Sequence, residues 1–156
     1  MKLKQKSWNF LILAIATGTF LLNMFVTSQT VAEVVSTKEE ITQMVRRQAR
    51  AWEEQNVMAI ADDFAEDAIF IAAGFRFEGK QRIQQAARDY FNQFHNTSVE
   101  IERIIIDGNE GAVQWDWSDR NRQSGQEGFA EDAIIFELEN GKIVYWREYI
   151  EKKKPA

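Results

Sequence analysis

The sequence predicts an α+β domain in which three helices pack on one face of a curved, mostly antiparallel sheet. Three observations predict it. Helical periodicity is confined to stretches before residue 95. From Val99 onward the chain is only alternating strand and turn. The resulting order, α-α-β-α-β-β-β-β, segregates helices from strands instead of interleaving them.

Taken in order, Thr37-x-x-Glu40 is a capping box, and Ile41, Met44, Val45, Gln48, Ala49 and Trp52 follow on one helical face, apolar apart from Gln48. Gln55-Asn56 breaks the pattern, and a shorter helix runs from Val57 to about Phe64. Asp67–Ala73 reads as a buried strand closing at Gly74. From Gly79, Ile83, Ala86, Ala87, Tyr90, Phe91 and Phe94 return to helical spacing, and His95 lies just past the last turn as a partner for free carbonyls. Val99–Ile106, Ala112–Asp119, Gln126–Leu138 and Lys142–Glu151 are the remaining strands, with turns at DGNEG, Ser124-Gly125 and Asn140-Gly141.

Alternation assigns the strand faces. Ala130, Asp132, Ile134, Phe136 and Leu138 form the more apolar face of one strand, and Val144, Trp146, Glu148 and Ile150 that of the last. Both faces carry an acid inward. A three-residue loop Glu139-Asn140-Gly141 brings the two apolar faces together and sets Asp132 beside Glu148. A two-residue turn at Ser124-Gly125 sets Trp117 beside Asp132, Trp115 beside Ile134 and Asp119 beside Ala130. Three inward rows are thus expected: Trp115–Ile134–Trp146, Trp117–Asp132–Glu148 and Asp119–Ala130–Ile150. Adjacent buried carboxyls do not both ionise readily, so one is expected to hold a proton near neutral pH. Inward aromatics at this spacing also fill ordinary core, and an inward acid is also satisfied by an arginine, with Arg50, Arg76 and Arg103 as candidates.

Composition bounds the function. The chain has 156 residues, 19 basic and 24 acidic, for a formal net charge of -5. An acidic balance argues against nucleic acid, which selects a basic face. The absence of cysteine removes disulfides, thiolate metal sites and thiol nucleophiles, and a single histidine, His95, removes a multi-histidine metal centre. At the N-terminus, Lys2, Lys4 and Lys6 precede the apolar run Phe10–Leu22, and Thr30-Val31-Ala32 supplies small residues at signal-peptidase spacing. Residues 1–32 therefore read as a secretory signal, leaving 33–156 as a single exported domain, periplasmic or extracellular, of net charge -8. The alternative is an uncleaved membrane anchor over residues 8–26, just long enough to span.

WEEQNVMAIADDFAEDAIF, GKQRI and FELENGKIVYWREYI resemble the SnoaL-like branch of the nuclear transport factor 2-like superfamily, over about Thr37–Glu151. The resemblance implies a conical fold with a pocket between helices and curved sheet. That fold hosts cyclases, isomerases, hydrolases, dehydratases and non-enzymes. GKIVYWREYI also resembles the last strand of limonene-epoxide hydrolases. The resemblance puts that family's water-activating aspartate at Glu148 and its epoxide-protonating acid at Asp119. Its bridging arginine falls on Trp117, and its water-positioning tyrosine and asparagine on Phe70 and Ala72. Asp132 stands where that family is apolar. The active site of that branch is therefore not retained.

The expectation is an apolar, aromatic pocket for a small hydrophobic molecule, lined by Trp115, Trp117, Trp146, Phe70, Ile134 and Ile150. Asp132 and Glu148 are its proton-transfer groups, Asp119 is a helper near the mouth, and no metal or organic cofactor is needed. A non-catalytic ligand-binding module is the other reading. The outer sheet face, with Phe129, Ile135, Tyr145 and Tyr149, suggests a homodimer under either.

Overall fold

Thr37 opens the first helix as its spacing predicts. In the computed structural model, which describes residues 36–153, its hydroxyl accepts from Glu40 N at 3.2 Å and Glu40 Oε2 accepts from Thr37 N at 2.7 Å. Such a cap contributes about 1 kcal/mol. The signal or anchor expected in residues 1–32 lies outside the described residues. Among the described residues no helix is long and apolar enough to cross a membrane.

Helix α1 (Lys38–Glu53) buries Ile41, Met44, Val45, Gln48, Ala49, Ala51 and Trp52. Gln48, the one polar residue on that face, is 1% exposed and tied down by its amide, which donates to Ile60 O at 2.9 Å and Asp63 Oδ2 at 3.2 Å. It thus fastens α1 to the end of α2 (Val57–Asp62) and satisfies two buried acceptors there. Helix α2 stops before Phe64 because that residue already begins β1 (Phe64–Ala72). Strand β1 turns through Ala73 and Gly74, both at positive φ, into a short strand that the sequence reading did not contain, β2 (Phe75–Glu78). Helix α3 (Lys80–Gln93) follows, burying Ile83, Ala87 and Phe91. Four long strands complete the fold: β3 (Phe94–Asp107), β4 (Glu110–Asn121), β5 (Glu127–Glu139) and β6 (Lys142–Lys153).

The sheet has six strands in the order β2-β1-β6-β5-β4-β3, with β1 parallel to β6 and every other pair antiparallel. This is the expected α+β architecture. His95 departs from expectation. It lies within β3 opposite Arg120, and its Nδ1 contacts Asn96 Oδ1 at 3.0 Å, so it caps no helix.

Both hairpin registers differ from the expected ones, each by two residues. The β4–β5 connection is a four-residue loop, Arg122–Gly125, closed by Asn121 N donating to Gln126 O at 2.8 Å. The Asn121 side chain accepts from Gln123 N and Ser124 N, which holds the longer loop shut. The β5–β6 turn is the two-residue Asn140-Gly141, both residues at positive φ (50° and 76°), as a type I′ turn requires. A bulge then follows, because Leu138 pairs with Ile143 but Glu137 with Tyr145. The extra residue, Val144, lets Ile143 and Trp146 both point inward, and it resolves the conflict of apolar faces that a plain two-residue turn creates.

Candidate functional site

The inner face of β4 carries Gly111, Val113, Trp115, Trp117 and Asp119, alternating inward as the sequence pattern requires. The observed cross-strand rows are Gly111–Phe136–Trp146, Val113–Ile134–Glu148, Trp115–Asp132–Ile150 and Trp117–Ala130–Lys152. Asp119 lies opposite Gly128. The expected rows Trp115–Ile134–Trp146, Trp117–Asp132–Glu148 and Asp119–Ala130–Ile150 are therefore corrected. Asp132 and Glu148 share the inner face but are diagonal neighbours, one row apart, and Asp132 stands beside Trp115. Asp132, Glu148 and the tryptophans face inward as expected, but Ile143 takes the inward place expected of Val144, and the offsets along the strands changed.

Two glycines make the inner face possible. A Cβ at Gly111 would stand 2.3 Å from the Phe136 ring, and one at Gly128 would stand 2.7 Å from Asp119 Oδ1. Gly111 admits the stacked Phe136–Trp146 pair, whose centroids are 5.9 Å apart, and Gly128 admits the Asp119 carboxylate.

Each of the three sheet tryptophans donates its indole N–H to an acid. Trp115 Nε1 reaches Asp132 Oδ2 at 3.2 Å, Trp146 Nε1 reaches Glu148 Oε1 at 3.0 Å, and Trp117 Nε1 reaches Asp119 Oδ2 at 3.2 Å. Buried indoles need an acceptor, and these acceptors are carboxylates. Asp119 Oδ2 also accepts from the Tyr90 hydroxyl at 2.6 Å, and Trp117 Nε1 lies 3.1 Å from that same oxygen of Tyr90. Tyr90 was read from the sequence only as part of an apolar helical stripe. The signal that it does more is chemical, because a tyrosine among buried phenylalanines needs a partner for its hydroxyl. Burial and the neighbouring Asp119 both push the Tyr90 phenol above its ordinary range, so it stays protonated.

No lysine, arginine or histidine among the described residues pairs with Asp119, Asp132 or Glu148. Arg50, Arg76 and Arg103, the candidate partners, are all exposed. Asp132 is 4% exposed, and its second oxygen, Oδ1, is buried without a hydrogen-bond partner. Burial raises the Asp132 carboxyl to about 6, against the lowering bond from Trp115, and the charge of Asp116 raises it further. Burial raises Glu148 to about 8, against the bond from Trp146, and Asp132 adds to the rise. Near pH 7 Glu148 thus holds its proton and Asp132 has mostly released its own.

The aromatic residues form a continuous chain. Ring contacts run from Phe94 through Tyr90, Trp117, Trp115, Trp146, Phe64 and Phe70 to Phe77, with neighbouring centroids 5.0–6.3 Å apart. Their burial is uneven. Trp115, Ile134, Trp146 and Phe70 are buried, whereas Trp117 and Ile150 are partly accessible. The inner face is therefore packed from Phe136 to Trp115 and more open beyond it, around Trp117, Asp119, Gly128 and Ala130. Asp132 stands at the boundary.

Three helices with a six-stranded, mostly antiparallel sheet make the nuclear transport factor 2-like fold. The chain belongs to the SnoaL-like domain family, whose model matches residues 45–146. Among solved structures, a putative isomerase from Bacillus subtilis is 21% identical with a TM-score of 0.65, over 72% of this chain and 87% of that one. An epoxide hydrolase from M. tuberculosis, of the LEH-like kind, is 20% identical with a TM-score of 0.64, over 72% and 84%. A putative SnoaL-like polyketide cyclase from Jannaschia sp. CCS1 is 16% identical with a TM-score of 0.65, over 72% and 86%. At these identities the likeness establishes the fold. None of the curated proteins compared with the chain matches it.

Proposed function

We propose that this SnoaL-like domain takes a small hydrophobic molecule onto the open end of its inner face and moves protons on it without a cofactor, in chemistry of the isomerase, cyclase, dehydratase or hydrolase type. The observation that carries this reading is the pair of inner carboxyls, each held by one indole and lacking a cation, with proton affinities about 6 for Asp132 and about 8 for Glu148. At neutral pH that arrangement supplies a base and an acid one row apart on the same inner face, the pairing that proton abstraction and return require. Asp132 is the base, Glu148 the acid, and Asp119, held by Tyr90 and Trp117 towards the open end, orients the ligand. Trp117 and Ile150 line the space, while Trp115, Trp146, Ile134 and Phe70 form the wall behind it.

The test is deuterium exchange at the α-carbon of a panel of small apolar ketones in D2O, followed by NMR. Wild type is expected to accelerate exchange, and Asp132→Asn and Glu148→Gln to lose the acceleration. Saturable quenching of tryptophan fluorescence without any exchange favours the non-catalytic binding module instead.

Export and self-association belong to the same proposal. The basic and apolar N-terminal sequence supports the first. The outward, exposed Phe129, Ile135 and Tyr149 support the second. The exported protein is expected to begin at Glu33 and to sediment as a dimer; an intact Met1 in membranes, or a monomer, contradicts the corresponding half.

A further inference from the structure

Every tryptophan among the described residues belongs to one connected set of rings. Trp146 meets Trp115 at a centroid distance of 5.8 Å, Trp115 meets Trp117 at 6.2 Å, and Trp117 meets Trp52 at 5.6 Å. The set ends on one phenol, because Tyr90 lies 5.8 Å from Trp117 and 5.6 Å from Trp52. Tyr145 and Tyr149 stand on the outer face of β6 instead, where Arg147 lies over the Tyr149 ring at 4.8 Å. Access changes along the set. Trp146 and Trp115 are closed off from solvent, whereas Trp117 and Tyr90 are partly accessible. The proton partners change as well. Trp146 donates to Glu148, which keeps its own proton near neutral pH. The Tyr90 hydroxyl and the Trp117 N–H instead converge on one oxygen, Asp119 Oδ2, at 2.6 Å and 3.2 Å.

We infer that this set of rings is a path for oxidising equivalents that ends at Tyr90: a one-electron oxidant that takes an electron from any of the four indoles leaves its deficit on Tyr90, as a neutral phenoxyl radical, with the phenolic proton on Asp119. The inference needs no ligand and stands apart from the proposed acid–base chemistry. Electron transfer falls steeply with separation, so rings in near contact exchange electrons quickly. Near neutrality a phenol that can shed its proton is more easily oxidised than an indole, and the deficit therefore runs from Trp to Tyr. The step balances with the azide radical as oxidant. The radical gains one electron and leaves as azide, while Trp117 loses that electron and passes its N–H proton to Asp119. Tyr90 then gives one electron to the indole ring, Asp119 returns the proton to the indole nitrogen, and the phenolic proton takes its place on Asp119. Tyr90 has lost one electron and one proton, and every indole is restored.

The hydrogen bond at Tyr90 decides where the path ends. Burial keeps the phenol protonated, so an electron leaves it only if the proton has somewhere to go. Asp119 at 2.6 Å supplies that place, at the separation of a short bond between a hydroxyl and a carboxylate. Asp119 is itself partly accessible, so it can pass the proton on to water. Trp117 is the joint, since the inner pair, Trp115 and Trp146, reaches Tyr90 through it. The path spares that inner pair. Their N–H groups hold Asp132 and Glu148, and oxidative opening of either ring removes the donor.

The experiment is pulse radiolysis of the purified full chain at neutral pH with the azide radical, which attacks indoles in preference to phenols, followed by absorbance. The indolyl radical band is expected to decay as the phenoxyl band grows, in a first-order step whose rate does not depend on protein concentration. Tyr90→Phe is expected to lose that step, and the double variant Tyr145→Phe/Tyr149→Phe to keep it. Trp8, outside the described residues, contributes the same background to every variant. After a sustained dose, mass spectrometry is expected to find ring-opened Trp115 and Trp146 in Tyr90→Phe and intact rings in wild type. Conversion that survives in Tyr90→Phe, that depends on protein concentration, or that never occurs overturns the inference. Should Tyr90→Phe not fold, wild type in D2O still decides: the conversion is expected to slow, and an unchanged rate overturns the transfer of the phenolic proton to Asp119.

Discussion

Asp132 shows how one residue is shaped from several sides. Its backbone phase on β5 turns it inward, among Ile134, Phe136 and Leu138, where burial opposes its charge. Trp115, its direct cross-strand neighbour, donates one hydrogen bond and recovers part of that loss. The balance leaves the folded carboxyl at about 6, above its ordinary value of 3.8. A carboxyl whose folded value is raised favours the folded state below its unfolded value and loses that advantage as pH climbs to the folded one. Above about pH 6 the wild type carries the full penalty, at most about 3 kcal/mol for a group this buried. Asn keeps an acceptor for the Trp115 N–H and removes the charge. Asp132→Asn is thus expected to be neutral at pH 4 and stabilising by about 1–3 kcal/mol at pH 8, read by urea unfolding at both values. A variant less stable than wild type at pH 8 would show that an unrecognised donor or cation meets Asp132.

At the scale of the elements, the sequence revealed which side chains face inward but not how far each strand slides. Alternation has a period of two, so Trp115, Trp117, Asp132 and Glu148 announce their common face. A slide of two residues preserves every face, and the apolar pattern is blind to it. Both hairpins were misplaced by that step. Ser124-Gly125 resembles a two-residue turn, but the Asn121 side chain organises a four-residue loop around it. Asn140-Gly141 is the two-residue turn, and the correction comes afterwards, at a bulge on Val144 that no turn residue announces. The helices were more legible, since caps and apolar stripes are local signals, and Thr37, Glu40 and Ile41 state theirs outright. Strand β2 was missed because Phe75–Glu78 has four residues and little burial, too short for a periodicity to emerge. The site was legible as a set of residues, and the indole partner of Asp132 was not, because it follows from the register. Gly111 and Gly128 carried a readable hint: a glycine within a strand signals a close approach, here by the Phe136 ring and the Asp119 carboxylate.

For the whole molecule, the inner acids set an unusual dependence of stability on pH. Most domains gain stability as pH rises from 4 to 7, because their carboxylates are better stabilised folded than unfolded. Here two buried carboxyls have folded values raised to about 6 and about 8, with burial the leading cause in both. Between the unfolded carboxylate range and those values the folded chain holds more protons than the unfolded chain. Stability must fall as pH rises through that window, first with Asp132 and then, up to about pH 8, with Glu148. Surface ion pairs are also present, Arg47–Asp63 at 2.8 Å and Lys153–Glu131 at 3.1 Å among them. They are exposed on at least one side and contribute little each. The inner pair therefore dominates, and unfolding free energy is expected to decline from pH 5 to pH 9. Glu148→Gln removes the upper part of that decline, since Gln keeps an acceptor for the Trp146 N–H without a charge to bury. Urea unfolding of wild type and Glu148→Gln at pH 5, 7 and 9 should give curves that separate progressively above pH 7, with the variant the more stable. Parallel curves across the range would mean that Glu148 ionises in the folded protein as freely as in the unfolded chain, and the acid half of the proposed pair would be lost.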